Sequence, residues 1–180
     1  MRHRSAYIVA CAALVALLVS TTRLCAQSGQ PHEPVFSPIV DTRDTLRPIR
    51  VDVAPVIDGY FNESFWKQAP SVTGFKTFIP DFDIVPKEQT EVAMAYDREN
   101  LYFAFRCYDD PAIVKTSVSA RDKMISDDFV CINLDAFNDQ QGLTAFYVNP
   151  SGIQGDSRFA SGNEDFSPDF VWYSAGHVDS

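Results

Sequence analysis

The chain has 180 residues, 46% hydrophobic and 13% aromatic, with 15 lysines and arginines against 24 aspartates and glutamates. That is enough apolar material to fill one core of ordinary domain size. The formal net charge of −9 argues against nucleic acid and anionic membrane surfaces as partners, since both select a basic face.

Arg2 and Arg4 precede an apolar run from Ala6 to Val19, and a polar stretch then leads to Leu24-Cys25-Ala26 before Gln27. A basic start, an apolar run too short for a convincing membrane span and a small-residue end are the parts of a secretory signal peptide. Residues 1–26 are read as that leader, cleaved after Ala26, so the expected location is the periplasm or outer membrane. A lipoprotein anchor at Cys25 is the weaker alternative, because Thr22 stands where such a signal wants a leucine. Loss of Arg2, Arg4 and Arg23 with the leader leaves 12 basic against 24 acidic residues, a net of −12.

Residues 27–46 hold Pro31, Pro34 and Pro38 among polar residues without periodicity, the composition of a flexible lead-in. The folded domain is expected over 47–180. Arg47 to Val56 alternates loosely as an edge strand, with Pro48 and Pro55 limiting its pairing. The stretch PVIDGYFNESFW, Pro55 to Trp66, then organises the start of the domain. Val56 and Ile57 favour extended chain, Asp58-Gly59 supplies a turn, and Asn62 is the expected cap of a short helical turn that ends on Phe65 and Trp66. Apolar neighbours on both sides make Trp66 a buried anchor rather than a ligand platform.

After Ala69-Pro70, Val72 to Phe78 reads as a strand and Pro80 to Lys87 as an acidic loop around Asp81 and Asp83. Glu91 to Tyr96, Leu101 to Tyr108 and Asp128 to Phe137 are extended stretches rich in aromatic and branched residues, and Asp97 to Asn100 is a hairpin turn between the first two. Leu101, Phe103 and Phe105 share one face, Tyr102, Ala104 and Arg106 the other. Leu143 to Val148 and Gly152 to Phe159 flank a second turn at Asn149-Pro150-Ser151-Gly152, and Phe170 to Tyr173 reads as a last strand. No long helix is suggested. Short strands at this spacing predict an all-β antiparallel β-sandwich with a short helical turn near its N-terminal start. Beyond the leader the cysteines are Cys107 and Cys131, whose strand parities place them on opposite faces, so two buried thiols are expected rather than a bridge.

IDGYFNESFWKQA, TEVAMAYDRENLYFAFRCYDD, SDDFVCINLDAFNDQQ, AFYVNPSGIQGD and DFVWYSA, in this order, resemble the family 9 carbohydrate-binding module. The closer likeness is to the version at the N-terminus of secreted bacterial proteins that continue into an outer-membrane β-barrel. The resemblance covers roughly residues 51–175. It implies a sandwich with one or two further strands after the point where this chain stops, so the domain is expected to be C-terminally truncated, with any barrel beyond it.

Fold relatives bind sugars or merely sit beside other domains, so the site must carry the functional argument. A sugar site needs a flat apolar face for the C–H side of a pyranose and fixed donors and acceptors for its hydroxyls. Trp172 sits where the resemblance places an aromatic near the slot, although a strand tryptophan is ordinarily core. Arg106 is either an ion-pair partner of Asp128 or Asp135 or a hydroxyl donor, and the resemblance favours an arginine near this place. Calcium is the cofactor that the resemblance raises, with Asp128, Asp135 and Asp169 as candidate ligands; the ordinary alternative is a solvated acidic rim. Asp58, Gly59 and Trp66 are expected to be structural.

No Ser-His-Asp arrangement is available to His32 or His177, and no carboxylate pair is spaced by the sequence for glycoside hydrolysis, so no catalytic residue is assigned. The leading expectation is a secreted, non-catalytic carbohydrate-binding domain with a saccharide ligand, linked to polysaccharide breakdown or uptake. The alternative is a periplasmic structural or interaction module of an outer-membrane protein without sugar binding; a third is an accessory part of a glycoside hydrolase.

Overall fold

The computed structural model describes residues 45–179, together with the backbone of three extended segments, Ser5–Ala12, Leu17–Leu18 and Ser37–Pro38. The rest of residues 1–44, on which the expected leader and most of the expected lead-in fall, lies outside the described residues. In chain order the strands are β1 (Ser5–Ala12), β2 (Leu17–Leu18), β3 (Ser37–Pro38), β4 (Ile49–Arg50), β5 (Pro70–Val72), β6 (Thr90–Tyr96), β7 (Leu101–Tyr108), β8 (Val130–Leu134), β9 (Gly142–Val148), β10 (Gln154–Ala160), β11 (Asn163–Asp165) and β12 (Tyr173–Val178). One 3-10 turn, Ser64–Lys67, is the only helical element among the described residues.

The strands form two sheets. The larger runs β12-β1-β7-β6-β5-β3, with β4 beside the far end of β6, and the smaller runs β11-β10-β9-β8-β2. Pairing is antiparallel except for β3 with β5 and β4 with β6. The all-β sandwich expected from the alternation is therefore the fold. Its core lies between the sheets, where Val92, Met94, Phe103 and Phe105 of one meet Ile132, Leu134, Phe146 and Val148 of the other.

A second apolar cluster covers the outer face of the larger sheet, and its cause is visible in β6 and β7. Ala93 lies directly across from Ala104, and Ala95 from Tyr102, so this face has a floor of small side chains. Trp66 is fully buried in that cluster, alongside Val51 and Ala69. Phe65 stands 4.8 Å and Phe61 6.1 Å from its ring. The anchor role of Trp66 is thus realised on the outside of the sheet rather than between the layers.

The Asp58-Gly59 turn is set by two demands at one position. Gly59 has φ of +84°, and a Cβ there would come within 3.1 Å of the Gly176 backbone in β12. Asp58 Oδ1 accepts from the Tyr60 N–H at 2.9 Å. The turn is therefore both a bend and a contact with the last strand.

Several local expectations are corrected. Glu63, not Asn62, is the residue before the helical turn, and it makes no side-chain cap; its carboxylate accepts instead from the Val56 N–H, which ties the two ends of the motif together. Arg47 to Val56 contributes just Ile49–Arg50, and the strand expected over Val72 to Phe78 is limited to Pro70–Val72. Pro48 and Pro55 restrict the first of these as expected, but more severely. Phe170 to Trp172 is extended lead-in, and β12 begins only at Tyr173. The β6–β7 turn is as read, because Asp97 Oδ1 accepts from the N–H groups of Glu99 and Asn100 while the Asp97 N–H donates to the Asn100 carbonyl.

Candidate functional site

Trp172 is only 5% exposed and lies against Phe146, ring centroids 5.3 Å apart and edge to face. Phe170 also meets the Phe146 ring, centroids 5.8 Å apart. These rings belong to the core between the sheets. A buried indole packed in this way offers no open face on which a sugar could stack.

Arg121 ties Asp169 and Phe170, just before Trp172, to β10. Its Nε and Nη2 donate to Asp156 Oδ1, its Nη1 donates to Gln154 Oε1 at 2.9 Å, and Nη2 also donates to the Phe170 carbonyl at 2.9 Å. Asp169 lies 3.1 Å from Nε. Asp156 is completely buried, and its second oxygen accepts from the Phe170 N–H at 2.6 Å. Asp122 closes the cluster by accepting from the Asp156 N–H at 2.9 Å.

Of the three candidate metal ligands only Asp169 belongs to a carboxylate group of metal-binding geometry, which it forms with Asp122 and Asp156. Asp128 and Asp135 stand at opposite ends of β8, about 20 Å apart at strand rise, so they cannot share an ion. Asp128 accepts from the Lys115 N–H and Asp135 from the turn that follows it. Calcium takes six to eight oxygens. Here the Asp156 oxygens are committed to Arg121 and Phe170, and the guanidinium already supplies the positive charge. This donor set does not fit calcium.

Of the two readings of Arg106, the ion pair with Asp128 or Asp135 is not formed. Its cross-strand neighbour on the outer face of the larger sheet is Glu91, and its guanidinium lies 5.2 Å from the Tyr108 ring centroid. The Tyr108 hydroxyl donates to Glu91 Oε2 at 2.9 Å. Glu91 is buried, while Arg106 and Tyr108 are half-buried. A donor, an acceptor and a hydroxyl are thereby held side by side on two central strands, a rigid arrangement of the kind that orients a polar ligand.

The loop from Gly74 to Gln89 leaves β5 and returns to β6 beside this row, and it holds aromatics that sequence reasoning passed over. Phe78 is 66% and Phe82 73% exposed, their rings 6.0 Å apart and edge to face, with Ile79, Ile84 and Val85 exposed around them. Phe75 packs against the sandwich core at the base of the loop. The Thr77 N–H donates to the Ile84 carbonyl and the Asp83 N–H to the Thr77 carbonyl, both at 2.8 Å, and Lys76 pairs with Asp83 at 2.7 Å. Backbone bonds and an ion pair therefore pin a loop whose apolar side chains face solvent. The sequence signal was present in FIPDFDIV, where five large apolar residues are interrupted by Pro80, Asp81 and Asp83, but such a run alone does not tell an exposed loop from a strand.

Cys107 on β7 and Cys131 on β8 lie in different sheets and are not bridged to each other, and of the two thiols expected to be buried Cys131 is buried and Cys107 half-buried. Burial pushes the Cys131 thiol up to about 12, against a smaller effect of the nearby Tyr147. Tyr147 is itself raised, first by burial, then by Cys131 and by the hydroxyl bond to Glu164. His177 is a ring neighbour of Tyr60, centroids 4.3 Å apart, close to Asp179.

No protein-family model, curated protein or solved structure gives a significant match to this chain.

Proposed function

We propose that the chain is an exported, non-catalytic carbohydrate-binding β-sandwich whose saccharide contact is the pinned aromatic loop around Phe78 and Phe82, with the half-buried Arg106 and Tyr108 on the adjoining sheet face as hydroxyl partners, oriented from beneath by Glu91. The observation that carries this reading is the exposure of two phenylalanine rings on a loop held by its own hydrogen bonds. Large apolar side chains grouped in solvent mark binding surfaces, and aromatic rings suit the C–H face of a pyranose. The likeness to the family 9 module and the leader-like start support it. Trp172 enters this reading as a core residue beneath the domain, not as a ligand platform.

The test is retention of the chain on a panel of immobilised polysaccharides. Phe82→Ala and Phe78→Ala are expected to weaken retention by tenfold or more, with unchanged thermal unfolding because both rings are exposed. A well-folded sample that no glycan retains sinks the reading. Ile79, Ile84 and Val85 on the same loop favour the second reading, a contact with another protein, since aliphatic side chains add little to sugar recognition. In that case the same substitutions abolish pull-down of a protein partner from the envelope fraction and leave glycan retention at background.

A further inference from the structure

The loop that carries Phe78 and Phe82 has no core of its own. Phe78, Ile79, Phe82, Ile84 and Val85 are each more than half exposed, so side-chain packing does not hold the two rings where they stand. The Lys76–Asp83 pair does not carry that task either, because both side chains are more than half in water, where an ion pair contributes little. Order in this loop therefore comes from hydrogen bonds, and they converge on one residue.

Thr77 stands at the neck of the loop. Its N–H donates to the Ile84 carbonyl and its carbonyl accepts from the Asp83 N–H, both at 2.8 Å. Two residues, Asp83 and Ile84, thus oppose one, as in a β-bulge, and Asp83 takes the left-handed φ of +66° that one type of bulge uses. Aspartate tolerates this conformation better than most residues. The Ile84 N–H turns to the Thr77 side chain and meets Oγ1 at 3.3 Å, while the same hydroxyl donates to the Asp81 carbonyl. One side chain therefore links both sides of the neck to the apex of the loop. Phe78 directly follows Thr77 and Phe82 directly precedes Asp83, so opening the neck moves both rings.

We infer that Thr77 is the positioning residue of the saccharide site, its hydroxyl holding the Phe78 and Phe82 rings in their edge-to-face arrangement 6.0 Å apart. The inference rests on the saccharide reading of this loop. Holding the rings in place matters for affinity, because a loop that must be ordered as it binds loses binding free energy to that ordering. Thr77 acts through the two phenylalanines and touches no sugar. The hydroxyl can be tested apart from the main-chain closure. Thr77→Val removes it at nearly constant shape and leaves both main-chain bonds available, whereas Thr77→Ser keeps it.

The native chain, Thr77→Val, Thr77→Ser and Phe82→Ala are compared for retention on immobilised cellulose, xylan, starch and chitin. Thermal unfolding, exchange of the Ile84 amide and magnetic cross-relaxation between the Phe78 and Phe82 ring protons are measured on the native chain and both Thr77 variants. Thr77→Val is expected to weaken retention about tenfold, the scale of one or two lost hydrogen bonds. It also exchanges the Ile84 amide faster and loses the ring-to-ring signal, at an unchanged unfolding midpoint, and Thr77→Ser recovers most of all three. Native-like retention of Thr77→Val, with Phe82→Ala released, overturns the positioning role and leaves the saccharide reading standing. Weakened retention with the ring-to-ring signal intact overturns it too, since the hydroxyl then acts on the sugar directly, as does a Thr77→Ser chain no better than Thr77→Val. A folded native chain that none of the four polysaccharides retains sinks the saccharide reading and the positioning role with it.

Discussion

Trp66 and Trp172 show how one residue type serves two layers of a sandwich. Trp66 closes the outer face of the larger sheet on its alanine floor, and Trp172 fills the space between the sheets. Trp66→Ala is expected to cost about 3–5 kcal/mol, the usual range for truncating a buried aromatic, read as a lower denaturant midpoint with unchanged slope. Arg121 is the cation that gathers Asp122, Asp156 and Asp169. Arg121→Ala leaves Asp156 buried without its partner and is expected to destabilise the fold by about 3–5 kcal/mol, whereas a chelator leaves the unfolding midpoint of the native chain unmoved. A midpoint that falls with chelator and recovers with calcium refutes the assignment of that charge to Arg121. Cys131, with its thiol pushed up to about 12 by burial, is expected to resist maleimide at pH 7 until the chain is unfolded. The core role of Trp66 was legible because apolar residues surround it in the chain. The partner of Arg106 was not, because Glu91 is fifteen positions away and only the β6–β7 register sets them opposite each other.

At the level of elements, turns carry much of the polar order. The Tyr102 hydroxyl, followed by the Glu99 and Asn100 N–H groups, holds Asp97 below the ordinary aspartate range. The Gln140 N–H does the same for Asp135, and Ser167 for Asp165. A carboxyl depressed in the folded state contributes stability above its unfolded pKa and loses it as the pH falls through the folded value. Stability set by these turns is therefore expected to be level from neutrality down to about pH 5 and to decline below about pH 4, with a shallower decline in Asp97→Asn. Equilibrium unfolding in urea at several pH values checks the sign; a gain in stability on acidification contradicts it. The second hairpin turn depends on Asn149, which is fully buried, accepts from the Ser151 and Ile153 N–H groups and donates to Ser117 and Asp127. Asn149→Ala strands these groups and is expected to cost about 2–3 kcal/mol. The turn itself could be read from Asn-Pro-Ser-Gly, but its clasp on residues 117 and 127 could not, because those contacts join distant parts of the chain.

For the whole molecule, the two outer surfaces of the larger sheet's neighbourhood have different work. The Trp66 cluster seals the face over β6 and β7, while the Gly74 to Gln89 loop beside it leaves its phenylalanines in solvent. Sugar retention that survives Trp172→Phe but not Phe82→Ala, measured on samples of equal thermal stability, is the expected pattern for a binding loop outside the core. The reverse pattern returns the contact to Trp172.

The sequence by itself determined the fold class, the β6–β7 and β9–β10 hairpins and the two faces of β7, because strand alternation and turn chemistry act between near neighbours. Only the tertiary structure decided that Trp172 is sealed by Phe146, that Arg121 supplies the positive charge beside Asp156 and Asp169, and that Phe78 and Phe82 remain outside. It also set β1 between β7 and β12. Each of these depends on which distant segments meet, and a period of two in one strand says which side is buried without saying what lies against it.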